Sequence, residues 1–171
     1  MPQDTLEKSN QARVEPATLS DLPQLIQMAM DLFEMEGDFE PSHEKQERGL
    51  KLILEEPSRG RILVLRNDDL IIGMVNILFT ISTAEGGLVL ILEDFFIHPA
   101  HRGQGYGSKL LEAVREFALT KDFRRITLLT DKISEESQRF FTKNGFAFSK
   151  MIPMRLHLEP EATHSLESEE E

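Results

Sequence analysis

LVLILEDFFIHPAHRGQGYGS, Leu88 to Ser108, is the stretch whose reading decides the fold. Leu88 to Ile97 is an almost continuous apolar run, as expected of a central strand covered on both faces. Two carboxylates, Glu93 and Asp94, interrupt it. The loop Arg102-Gly103-Gln104-Gly105-Tyr106-Gly107-Ser108 follows, and a helix is predicted from Ser108 to about Thr120. Three alternate glycines admit positive φ and a close approach of ligand to backbone. The helix behind them offers unpaired N–H groups and the positive end of its dipole, which together make an anion site suited to a pyrophosphate. The dipole contributes only about 0.3–1 kcal/mol per favourable charge, so several N–H bonds and Arg102 must add to it. A Walker loop would need Gly-Lys-Ser/Thr at its end. A dinucleotide fingerprint would need a third glycine where Ser108 stands. Neither fits.

Outward from this stretch the elements alternate. Arg13 to Thr18 is predicted as a short strand. Ser20 or Asp21 caps a helix opening at Leu22-Pro23, with proline tolerated in the first turn. Leu22, Leu25, Ile26, Ala29, Leu32 and Phe33 share one helical face, and Gly37-Asp38 breaks the helix. A second helix is predicted from Ser42 to Glu55. Arg61–Arg66 and Leu70–Ser82 read as a hairpin about Asn67-Asp68-Asp69. After the glycine loop and its helix come a strand, Arg125 to Thr130, and a helix from Ser134 to Gly145. Phe146 to Leu158 is predicted to supply one or two closing strands.

Three segments together resemble the GNAT acetyltransferase superfamily. Arg102, Gly105 and Gly107 match its pyrophosphate motif, Q/R-x-x-G-x-G/A, and His98-Pro99-Ala100-His101 resembles the usual lead-in. Leu92-Glu93-Asp94-Phe95-Phe96-Ile97 resembles the family's fourth strand, most closely in its diamine and small-amine branch. Ser134 to Phe146 resembles the family helix that ends in Gly-Phe. The likeness is strong from Leu88 to Phe146 and rests on element order before that. It implies an α/β (α+β) GNAT fold: a mixed, mostly antiparallel sheet of six or seven strands, about four helices, and strands 4 and 5 splayed apart. It also implies acetyl-CoA as co-substrate. Gly103, Gln104, Gly105, Tyr106, Gly107 and Ser108, with Arg102, would hold the pyrophosphate. Phe95, Phe96 and Ile97 would pair their backbone with the pantetheine arm. Ser134 and Phe141 would border the cofactor.

An alkyl amine is mostly protonated at neutral pH, with a pKa near ~10.4, and only its free form attacks a thioester. A base must take the proton. Glu93 and Asp94 are the candidates. Successive strand residues face opposite sides, so at most one is expected to face the reaction centre. Resemblance favours Glu93 and leaves Asp94 a structural part. One departure from the family stands at Phe141, where a tyrosine often protonates the departing thiolate. Tyr106, the only tyrosine, lies in the phosphate loop. A thiol pKa near ~8.5 makes the thiolate a fair leaving group without such a donor. Ser134 stands where an asparagine is common and still caps the helix.

Composition sets the remaining bounds. The chain has 171 residues, enough for one domain and its core. Residues 12–158 are read as that domain, 1–11 as a flexible leader and 159–171 as an acidic disordered tail. The tail carries six of the eleven net negative charges. There is no cysteine, which excludes disulfides and an enzyme thiol nucleophile. Neither a secretory h-region nor an ~18-residue apolar span is present, so a cytoplasmic location and no membrane partner are expected. No basic footprint for nucleic acid is evident. The five histidines show no metal spacing, so no metal is expected. Asp31 to Glu56 holds nine acids against three bases, a rim that would concentrate a cationic amine. The leading expectation is acetyl transfer to a primary amine, a small molecule, by direct attack in a ternary complex. A protein or peptide acetyltransferase and a non-catalytic CoA-binding module stand as alternatives, and a homodimer is common in the family.

Overall fold

A computed structural model describes residues 12–158. The leader and the acidic tail read from the sequence lie outside the described residues. The elements run β1 (Arg13–Pro16), α1 (Leu22–Glu36), α2 (His43–Glu55), β2 (Gly60–Asn67), β3 (Leu70–Ser82), β4 (Gly87–Ile97), α3 (Tyr106–Thr120), β5 (Ile126–Leu128) and α4 (Glu135–Lys143). The sheet follows chain order, β1-β2-β3-β4-β5. Its first three pairings are antiparallel, and β4 with β5 is parallel. The expected mixed, mostly antiparallel α/β architecture with four helices is present.

Alternation along each strand makes two cores. Leu63, Leu65, Val75, Ile77, Leu90 and Leu92 pack with Leu110, Leu111 and Val114 of α3, and Phe140 and Phe141 of α4 join them. Ile62, Val64, Ile71, Met74 and Phe96 point the other way, onto Leu25, Ile26, Ala29 and Leu32 of α1 and Leu50 of α2. Helices α1 and α2 therefore cover one face, and α3 and α4 the other. Ser42 caps α2 by accepting the Lys45 N–H, which satisfies one orphan donor of the first turn.

The described residues form five strands rather than six or seven. No strand forms over 146–158. Phe148, Met151, Ile152, Met154, Leu156 and Leu158 there are all exposed. The segment alternates apolar and polar residues as a strand does, but a strand is defined by a partner ladder, and none engages this one. The first strand also stops early, at Pro16. The Thr18 N–H donates to Asp21 Oδ2 at 2.9 Å, closing a tight 3-10 turn ahead of α1.

Candidate active site at the splay between β4 and β5

β5 accompanies β4 for only three residue pairs, Leu90–Ile126, Ile91–Thr127 and Leu92–Leu128. Beyond Leu92 no β5 residue pairs with β4, so the edge along Phe95, Phe96 and Ile97 is open there except at the Ile97 carbonyl, which Arg102 occupies. This is the splay expected from the sequence. Phe95 lies against α4 across the gap, with ring centroids 5.6 Å from both Phe140 and Phe141. Phe141 also meets Phe146 at 5.7 Å. It is one member of an aromatic cluster beside the opening.

The open edge runs into the glycine loop. Gly103 and Gly105 have φ of 76° and 80°, and a side chain added at either would enter open space. Gly105 is the N-cap of α3, whose first bond to it comes from the Lys109 N–H at 3.1 Å. The amides of Tyr106, Gly107 and Ser108 precede that bond and have no partner within the helix. The helix thus starts two residues earlier than predicted. Gly107 is a correction. It is helical with ordinary φ, and its reason is packing, because a Cβ there would come within 2.9 Å of the Phe140 ring. Arg102 folds back instead of projecting from the loop. Its Nε donates to the Ile97 carbonyl at 2.9 Å, Nη2 reaches Met35 Sδ at 3.9 Å, and the guanidinium lies 5.4 Å from the Phe96 ring centroid. It ties the last turn of α1 to the end of β4. Ser134 caps α4 as expected, its Oγ accepting the Ser137 N–H at 3.3 Å.

The two carboxylates depart from simple alternation. Glu93 sits opposite Asn76 and Phe96 opposite Met74, so Asp94 and Phe95 together face the single residue Val75. This is a β-bulge, and Asp94 takes it with φ 50°, in the left-handed region an aspartate tolerates. Facing residues in an antiparallel pair share a side, so Glu93 and Asn76 both lie on the α1–α2 face. Asp94 reaches the same face, accepting from Asn76 Nδ2 at 2.6 Å. The expectation that only one carboxylate could face the site is therefore wrong, because the extra residue resets the alternation. Burial, then the negative charges of Glu93 and Glu36, push the Asp94 carboxyl up to about 6, against the opposing pull of the Asn76 hydrogen bond.

Several neighbours were not singled out in the sequence. Asn76 is almost fully enclosed, and its Oδ1 has no partner. Its signal was a lone amide among Met74, Val75, Ile77 and Leu78. Glu36 is pushed above its ordinary range by burial and by the charges of Asp38 and Asp131. Carboxylates from three separate segments thus act on one another, Glu93 and Glu36 on Asp94 and Asp131 on Glu36. Among the described residues no His, Asp and Glu side chains gather as metal ligands, and no helix is long and apolar enough to cross a membrane.

Residues 22–146 match the family model described as the acetyltransferase (GNAT) family. A curated relative, the uncharacterized N-acetyltransferase YhfO of Bacillus subtilis (strain 168), is 27% identical over 85 residues. That alignment spans 50% of this chain and 57% of the relative, so the chain covers little more than half the relative's length. Among solved structures, an integron cassette protein from the mobile metagenome of Cole Harbour salt marsh superposes with a TM-score of 0.76 at 25% identity. The superposition covers 86% of this chain and 91% of that one. A predicted acetyltransferase from Clostridium acetobutylicum, solved with acetyl-CoA, superposes with a TM-score of 0.71 at 18% identity over 84% of this chain and 96% of its own. The last likeness is one of fold.

Proposed function

This chain belongs to the acetyltransferase (GNAT) family, and from that premise we propose that it moves an acetyl group from acetyl-CoA to the primary amine of a small molecule. One observation carries the reading. The unpaired edge of β4 leads directly into a glycine loop and a helix N-terminus, with Asp94 beside it.

The residues fit the co-substrate. The amides from Gly103 to Ser108 suit a pyrophosphate, and the edge of β4 at Phe95 to Ile97, unpaired by β5 and open except at the Ile97 carbonyl that Arg102 holds, suits an extended amide-bearing arm. When bound, acetyl-CoA supplies an acyl group already activated as a thioester. The amine nitrogen forms the new C–N bond as the C–S bond breaks. Asp94 takes the ammonium proton, directly or through water; the sulfur keeps the bonding pair, and the second proton that the nitrogen sheds on becoming an amide protonates it. A base with a pKa of about 6 is ionised at neutral pH and close enough to it to act efficiently. Glu93, exposed on the same face, draws the ammonium form towards the site. This assignment makes Asp94 the base and Glu93 its helper, the reverse of the roles expected from resemblance.

The test is thiol release from acetyl-CoA with a panel of small amines and short peptides. Turnover of small amines supports the reading. Turnover of peptides alone favours a protein acetyltransferase. Saturable CoA binding with no acceptor turned over favours a binding module, which Phe141 would suit, since its ring only packs. Phe141→Tyr addresses that last point. The added hydroxyl lies beside the splay and needs a partner if enclosed; a departing thiolate can be that partner. The variant should fold, bind CoA as the parent does, and release thiol at least as fast. A stable, CoA-saturable variant that is much slower would show that position 141 is not a vacant acid site.

A further inference from the structure

We infer that Asn76 is the positioning residue for Asp94: its amide N–H holds the carboxylate before the amine arrives, and its carbonyl, turned to the same spot, holds the acid form once the proton has been taken. The inference rests on the reading above, in which Asp94 is the base, and adds a residue to its machinery. Asp94 occupies the β-bulge at φ 50°, where the β3–β4 ladder is interrupted. Regular pairing does not pin its backbone there. Asn76 is pinned from both sides. β3 is an inner strand, and Asn76 stands opposite Ile62 of β2 and Glu93 of β4. A fixed residue thus steadies one in an irregular place, its Nδ2 donating to Asp94 Oδ2 at 2.6 Å.

The other end of the amide supplies the second half of the role. Asn76 is 3% exposed, in a strand otherwise apolar from Met74 to Leu78. Its Oδ1 accepts no hydrogen bond, a cost that an apolar residue of similar shape would avoid. With Oδ1 unbonded, turning the amide over breaks only the bond to Asp94. Once Asp94 has taken the ammonium proton, its O–H needs an acceptor, and the turned amide presents Oδ1 to it. One proton moves, from the ammonium to Asp94 and later to water, and Asn76 neither gains nor loses one. The bond to the carboxylate is charge-assisted and the stronger of the two. Asn76 therefore favours the ionised form, while burial and the charges of Glu93 on β4 and Glu36 at the end of α1 oppose it.

The experiment compares the parent with Asn76→Leu and Asn76→Thr. Amine turnover is read over pH, and the Asp94 carboxyl is titrated by NMR in protein carrying 13C-labelled aspartate. Asn76→Leu should lower kcat on its pH plateau at least about tenfold, because the base is no longer held in place. Its acid limb and its Asp94 titration should rise together by about one pH unit, with CoA affinity unchanged. Asn76→Thr, whose hydroxyl both donates and accepts, should recover part of each loss. It carries the same comparison, with a smaller shift, if Asn76→Leu does not fold. Added to Asp94→Asn, Asn76→Leu should cost little further turnover. A rate loss equal at every pH with the Asp94 titration unmoved makes Asn76 a packing residue and overturns the inference. So does an Asn76→Leu loss that persists in full in Asp94→Asn. The underlying reading is judged apart. Full turnover by Asp94→Asn removes Asp94 as the base, and the inference with it. An inactive Asp94→Asn beside an unmoved titration in Asn76→Leu removes the positioning role alone.

Discussion

Asp94→Asn should lower kcat/KM for an amine at pH 7 by about 10²–10⁴, the usual span for a lost general base, while its melting temperature stays level or rises. The loss should be smaller at alkaline pH, where more of the amine is already free. In the parent, activity should fall as pH drops through about 6, as Asp94 gains its proton. The stability arm has the opposite sign from a typical ion-paired carboxylate. Native Asp94 holds a proton up to about pH 6, whereas the unfolded carboxyl releases it near 3.8. The native state therefore binds more protons between those values, and the charged group costs stability above them. Asparagine removes that cost and tolerates the left-handed backbone equally well. Glu93→Gln should be milder at neutral pH and should move the acid limb downward, because the Glu93 charge helps to raise Asp94. Rates over pH, with melting curves as the control, read both. Full activity in Asp94→Asn with collapse in Glu93→Gln would restore Glu93 as the base.

Gly105→Asp should weaken CoA by at least about 100-fold and leave the fold intact. Gly105 is an N-cap with φ 80°. Aspartate is both a favoured cap and one of the few residues at ease in that conformation. Its side chain would project into open space, where no protein atom lies within 4 Å, and that is where a pyrophosphate is expected. Two like unit charges about 4 Å apart cost about 4 kcal/mol at an effective dielectric of about 20. In the parent, CoA at about 100 times its Kd stabilises by about 2.7 kcal/mol, a rise of roughly 5–10 °C at about 2–4 °C per kcal/mol. The variant should show almost no rise at that concentration. Gly105→Asn, uncharged and of the same shape, should fall between the two. Equal CoA affinity in Gly105→Asp would remove the loop from cofactor binding.

Much of this was legible from local pattern. Leu22-Pro23 marked the start of α1, Asn67 to Asp69 marked the hairpin, and the apolar run ending in glycines marked β4 and its loop. What escaped was whatever depends on a partner distant in sequence. The bulge adds one residue to β4 against β3, and no composition signal announces it. Gly107 looked like part of a ligand loop, although its neighbour is Phe140, in a helix 28 residues further along the chain. Met151 to Leu158 carries a strand's alternation without a pairing edge, so pattern alone gave an element that does not form. Asp131 raises Glu36 by its charge although 95 residues separate them in sequence. The acid count over Asp31 to Glu56 registered Glu36, but not what faced it.

The central claim is tested most directly by following both halves of the transfer at once. Acetyl-CoA labelled in its acetyl carbon is mixed with the protein and a small primary amine, and free thiol and labelled amide are measured together. One labelled amide per thiol, no thiol release above background without the amine, and no label on the protein itself are predicted. Thiol release that ignores the amine, label that stays on the protein, or CoA that binds to saturation without any amide forming would contradict it.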